Sequence, residues 1–185
     1  MQIHLNKVFQ FAKDAHGDQR RKYRDELYIQ HPVRVMETCK EFTGDPAILS
    51  AALLHDVLED TETSEEQMKT FLVSVYDEDT AFKTLLFVKE LTDVYTKKDF
   101  PDLNRQQRKA KEVIRLATIS PEAQTIKYAD IIDNSTDATG FDKNFVEKLL
   151  EEYTTLLGKI DKGIPALRQK AIDCVEKTFN KNQRK

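Results

Sequence analysis

The chain has 185 residues, 39% hydrophobic and 33% charged, with 29 Lys and Arg against 32 Asp and Glu for a net charge of −3. That length makes one domain with a core of its own and excludes a second catalytic domain, while the slight negative charge argues against a nucleic-acid binder. Only five Gly and five Pro, with abundant Ala, Leu, Lys and Glu, predict an all-α domain.

No apolar run approaches the ~20 residues that cross a bilayer, which excludes a membrane span. Cys39 and Cys174 lack CxxC spacing, and the N-terminus is not of the signal type, so both read as free thiols in a reducing, cytoplasmic setting. Nothing in the sequence specifies an oligomeric state.

Eight to ten helices are expected. Residues 4–16 carry Val8, Phe9, Phe11, Ala12 and Ala15 at helical spacing, with Gly17 as a stop and His16 as a hydrogen-bonding helix end. A polar stretch with a basic cluster, Arg20, Arg21, Lys22 and Arg24, then leads to His31, and Pro32 suits the first turn of a helix running to about Phe42. Thr43 to Pro46 is a turn, with Asp45 as N-cap and Pro46 at the first position of a central helix.

That central helix, read through to Asp60, is apolar except for His55, Asp56, Glu59 and Asp60. At about 100° per residue, with His55 at zero, Asp56 falls near ~100°, Glu59 near ~40° and Asp60 near ~140°, so the four share a face. An imidazole beside a carboxylate can hold a divalent cation, and two carboxylates a turn later can orient water or move protons.

Ser64 with Gln67 forms a capping-box pattern opening a short helix to Tyr76, and Asp77-Glu78-Asp79 opens another reaching Leu91. Residues 92–104, with Lys97 and Lys98, read as a mobile basic loop able to close over substrate. A basic helix from Arg105 to about Thr118 precedes one begun by Ser120-Pro121, which holds a second polar intrusion, with Asp130 and Asn134 on one face and Lys127 a turn above. Two amphipathic helices, about Asp142 to Lys159 and Pro165 to Phe179, complete a domain over residues 1–180, with 181–185 a polar tail.

The set His31, His55-Asp56 and Asp130 resembles the H…HD…D signature of the HD-domain metal-dependent phosphohydrolases. Its neighbours, Gln19-Arg20-Arg21-Lys22, Tyr28-Ile29-Gln30-His31-Pro32, His55 to Thr61 and Lys127-Tyr128-Ala129-Asp130 with Asn134, resemble the stand-alone small alarmone hydrolases, the Mesh1-like group related to the hydrolase half of Rel/Spo enzymes. The resemblance covers about Val8 to Tyr153. It implies an all-α HD-domain fold and release of the 3′-pyrophosphate from guanosine 3′,5′-bis(diphosphate). It further implies one Mn²⁺ on His31, His55, Asp56 and Asp130, catalytic Glu59 and Asp60, and a small-molecule nucleotide held by Arg21, Lys22, Asn134 and Tyr153. A mixed imidazole and carboxylate set independently suits Mn²⁺, Fe²⁺ or Zn²⁺ better than Ca²⁺ or Mg²⁺.

Two stretches depart from the family pattern: Asp25-Glu26-Leu27-Tyr28 stands for Gly-Glu-Pro-Tyr, and Glu90-Leu91-Thr92-Asp93 for the element containing Thr-Lys-Leu. Both lie outside the metal and acidic residues and bear on the substrate. The alternative is an HD phosphohydrolase acting on an adenosine alarmone, a nucleoside monophosphate or an NADPH-type nucleotide.

Overall fold

The helix expected at the centre is there, and its burial explains its composition. Asp45 Oδ1 accepts from the Ala47 N–H at 2.8 Å, Pro46 follows, and every residue from Ala47 to Leu54 is buried. A helix apolar on all sides is stable only inside a protein. Leu49, Leu53 and Leu54 alone contribute ~1.5–3 kcal/mol each through burial.

The computed structural model describes residues 2–22, 24–138 and 141–183. Among the described residues it contains ten α-helices and, outside them, one isolated bridge between Arg20 and Leu27. These are α1 (Gln2–His16), α2 (Gln30–Lys40), α3 (Pro46–Leu54), α4 (Val57–Asp60), α5 (Glu65–Val75), α6 (Glu78–Leu91), α7 (Arg105–Leu116), α8 (Pro121–Asp137), α9 (Lys143–Leu157) and α10 (Pro165–Gln183). Helix α3 packs against α1, α2, α6 and α8, while α10 lies across α8 and α9. None of the helices is long and apolar enough to cross a membrane.

Local signals behave as their chemistry dictates. Gly17 ends α1 at φ 52°, a backbone region that suits glycine. Ser64 and Gln67 form a reciprocal capping box on α5.

Three expectations need correction. The stretch from Pro46 to Asp60 is two helices, because the chain turns at His55 and Asp56. His55 Nδ1 donates to the Ala52 carbonyl at 2.8 Å, the group a continuing ladder offers to the Asp56 N–H, and Asp56 sits at φ −98°, ψ −6°. Second, the loop after α6 is anchored where it starts. Buried Glu112 accepts from the Val94 and Tyr95 N–H groups at 2.7 and 2.6 Å, and Arg115 binds Glu112 and the carbonyls of Glu90 and Thr92. Third, α10 runs past Phe179 to Gln183, held by bonds from Asn182 to the Lys143 carbonyl and from Gln183 to Glu147. Of the tail placed at 181–185, Arg184 and Lys185 lie outside the described residues.

Candidate active site

The turn between α3 and α4 sets His55 and Asp56 against His31 from the start of α2 and Asp130 from the middle of α8. His55 Nε2 lies 3.1 Å from Asp56 Oδ2 and 3.9 Å from Asp130 Oδ1; His31 Nε2 lies 3.5 and 3.3 Å from the same two oxygens. Each imidazole Nε2 therefore faces one oxygen of Asp56 and one of Asp130. Ligand atoms of His31, His55 and Asp56 all lie within 4.8 Å of one another, an arrangement able to hold a metal ion.

Each imidazole is held by its far nitrogen. His55 Nδ1 donates to the Ala52 carbonyl, and His31 Nδ1 donates to Asp133 Oδ2 at 2.7 Å. Carbonyl and carboxylate only accept, so Nδ1 carries the proton in both neutral rings and Nε2 offers its lone pair to the pocket. His55 Nε2 is buried without a hydrogen-bond partner. An orphaned imidazole nitrogen among carboxylate oxygens is the donor set a divalent transition cation takes, so these residues fit a metal.

The electrostatics agree. Burial alone would lower the His31 pKa, but its bonds to Asp130 and Asp133 hold it at about 9. His55 is also raised, because Asp56 outweighs its desolvation. Burial would raise the carboxyls, yet His55 and His31 hold Asp56 low, and Lys127 with His31 holds Asp130 well below the usual carboxylate range. The cluster is thus charged and cross-paired before any cation arrives, and a cation must displace protons to enter.

Above this floor a cleft of about 290 Å³ opens, lined among others by Arg21, Tyr28, Glu59, Asp60, Lys127, Asn134 and Tyr153. Glu59 accepts from the Asp93 N–H at 3.1 Å. Desolvation in the cleft, then the Asp93 and Asp56 charges, push its carboxyl up to about 7. Asp60 is raised by desolvation and by Asp56. The Tyr28 hydroxyl donates to Asp56 Oδ2 at 2.7 Å. Lys127 Nζ bonds Asp130 Oδ2 at 2.8 Å, and desolvation raises the Tyr153 hydroxyl.

The arginines of the basic cluster are paired within the chain. Arg20 pairs with Asp25, Arg24 with Asp137, and Arg21 with Asp137 at 2.9 Å and Asn134 at 2.9 Å. Asn134 also donates to Asp130 Oδ1, so it links the floor to Arg21. Lys22 is exposed and is not among the residues lining the cleft; Lys97 and Lys98 are exposed on the 92–104 loop. The cations on the far wall are Arg105 and Lys109, four residues apart on α7, and Arg105 forms a two-point pair with Glu152.

A family model described as an HD domain matches residues 9–149. The chain belongs to the HD-domain family. Within it, a Xenopus tropicalis protein named guanosine-3′,5′-bis(diphosphate) 3′-pyrophosphohydrolase MESH1 is 30% identical over 158 residues, covering 83% of this chain and 80% of that protein. A Synechocystis protein named a probable guanosine-3′,5′-bis(diphosphate) 3′-pyrophosphohydrolase is 44% identical over 75 residues, 40% of this chain but only 9% of that protein's length. A solved structure described as "A metazoan ortholog of SpoT hydrolyzes ppGpp and plays a role in starvation responses" superposes with a TM-score of 0.75 at 26% identity, covering 94% of both chains.

In the two stretches that depart from the family pattern, Asp25 binds Arg20, Glu26, which keeps to the pattern, binds Arg34, and Glu90 accepts from the N–H and hydroxyl of Ser120 at the start of α8. Sequence reasoning did not single out Tyr28, Arg34, Asp133 or Asp137. One signal was present: Asp130, Asp133 and Asp137 recur at helical spacing on α8, more carboxylates than one ion needs.

Proposed function

We propose that this protein hydrolyses guanosine 3′,5′-bis(diphosphate), releasing the 3′-pyrophosphate, with one divalent cation held by His31, His55, Asp56 and Asp130 and Mn²⁺ as the native ion. The observation that carries the reading is the orphaned Nε2 of His55, buried against Asp56 and Asp130 at the floor of a cleft with Arg21, Lys127, Arg105 and Lys109 on its walls. Similarity to MESH1 proteins along most of both chains supports the substrate.

When bound, the cation supplies Lewis acidity toward a phosphate oxygen and toward water. The chain's own residues do the rest. Glu59, with its carboxyl near 7, exchanges a proton with water close to neutrality, and Asp60 beside it orients that water. The water oxygen bonds to the phosphorus attached to the 3′-oxygen, the bond from that phosphorus to the 3′-oxygen breaks, and the 3′-oxygen leaves as a hydroxyl after taking a proton. Arg21 and Asn134 hold the nucleotide on one side, and Tyr153, kept as an O–H, donates to phosphate from the other. The free thiols Cys39 and Cys174 fit a cytoplasmic protein.

The test is a panel of nucleotides incubated with the Mn²⁺-loaded protein, with pyrophosphate and phosphate separated. Pyrophosphate from the guanosine substrate is the expected product. Phosphate from an NADPH-type nucleotide or a nucleoside monophosphate, with the guanosine substrate untouched, overturns the assignment.

A further inference from the structure

Asp133 lies three residues beyond Asp130 on α8, is 7% exposed, and has both oxygens engaged. Oδ2 accepts from His31 Nδ1 at 2.7 Å. Oδ1 accepts from Arg34 Nε at 2.6 Å, and Arg34 Nη2 reaches Oδ2 at 3.1 Å and Glu26 at 2.8 Å. The carboxylate thus joins the N-terminal end of α2, which carries both His31 and Arg34, to the helix that carries Asp130.

We propose that Asp133 is a positioning residue for the cation site: acting through His31, it fixes the Nδ1–H tautomer and the ring orientation that aim Nε2 at Asp56 and Asp130, while Arg34 holds the carboxylate in place. The inference rests on His31 being a ligand in the function proposed above. The physical need is plain. A neutral imidazole has two tautomers, and the wrong one puts a proton where the cation must sit. His55 meets the same need with a backbone carbonyl that its own helix end supplies. His31 stands at the start of α2, where the corresponding carbonyl, that of Tyr28, accepts the His31 backbone N–H, and its Nδ1 partner is a charged side chain brought from 102 residues away. A carboxylate also makes the imidazole a stronger donor than a carbonyl does, so His31 and His55 are unequal ligands. Arg34, with two contacts to Asp133, keeps that buried charge paired.

The competing explanation is that Asp133 serves only the ion pair with Arg34, fastening α2 to α8. Calorimetric Mn²⁺ titration without substrate separates the two, using Asp133→Leu, Asp133→Asn and Arg34→Met, alongside ¹⁵N NMR of His31 in the cation-free protein at a pH where the ring is neutral. Asp133→Leu should weaken Mn²⁺ binding about 10–100-fold and lose the Nδ1–H tautomer, with kcat recovering at saturating Mn²⁺. Asp133→Asn should fall between, since its amide oxygen can still accept from Nδ1–H, and it carries the test if the leucine variant fails to fold. Arg34→Met should move the Mn²⁺ affinity less than Asp133→Leu does. Wild-type affinity and tautomer in both Asp133 variants, or an equal loss of affinity from Arg34→Met, overturns the proposal. A wild-type protein that takes up no Mn²⁺ overturns the cation site itself, and the NMR comparison then still decides whether Asp133 sets the His31 tautomer.

Discussion

The floor of the cleft and its rim are both built from charged groups, but they are held in different ways. On the floor, His31, His55 and Asp130 are buried, and each is braced by a partner: Asp133, the Ala52 carbonyl, and Asn134 with Lys127. On the rim, Arg21 is paired with Asp137 and Arg105 with Glu152, and the Arg105 side chain is half exposed. Buried groups of fixed geometry preorganise a site for one ion. Arg105, paired at a solvent edge, can exchange a protein carboxylate for a substrate phosphate at little net cost, because both partners are anions, whereas Arg21 is mostly buried and can turn to substrate only by leaving Asp137 to Arg24 and Arg34. Floor changes should therefore act on the metal and the chemical step, and rim changes on substrate affinity.

The largest effect is expected from Asp56→Ala. It removes a carboxylate that faces both imidazoles, so metal content by elemental analysis and turnover should be lost together. Retained metal with lost turnover would move Asp56 out of the ligand set.

Next comes Glu59→Gln, which should keep the metal and lower kcat by ~10²–10⁴-fold. The raised carboxyl gives a second readout in the metal-free protein. Its pKa of about 7 in the fold exceeds the ordinary 4.5, so the folded state holds the proton more tightly and the wild type loses stability as pH rises from 4.5 through about 7. Thermal melts across that window should show a shallower decline for Glu59→Gln. Identical pH slopes would remove Glu59 as the titrating group.

A rim residue should behave differently. Arg21→Ala is expected to raise KM, with ~1–3 kcal/mol lost in kcat/KM on a 3′-pyrophosphorylated nucleotide and little change on an aryl phosphate ester. Because Arg21 also pairs with buried Asp137, some stability should be lost as well, though Arg24 and Arg34 still face that carboxylate. Equal losses on both substrates would dissolve the distinction between floor and rim.

The smallest effect sharpens the contrast from outside the cleft. Lys89 and Glu65 form an ion pair 2.8 Å long with both side chains about half exposed, and Lys89→Ala should cost under about 1 kcal/mol of stability and leave kinetics unchanged.

What was legible in the sequence was local. The N-caps at Asp45 and Ser64, the stop at Gly17 and the capping box all depend on residues within four positions of one another, so spacing alone reports them. The all-α class and the polar intrusions at His55-Asp56 and Asp130 were legible too, since apolar helices carry such residues at a cost. The break at His55 was not legible although its cause is local, because a histidine in an apolar helical run reads the same whether or not its ring takes the carbonyl three residues back; only the tertiary structure decided the anchoring of the 92–104 loop by Glu112 from the next helix. It likewise paired Asp133 with His31 and Asp137 with Arg21, across 102 and 116 residues. A carboxylate on a helix face reads the same in sequence whether it meets water or a buried imidazole, and which it meets is settled by the packing of α2 against α8.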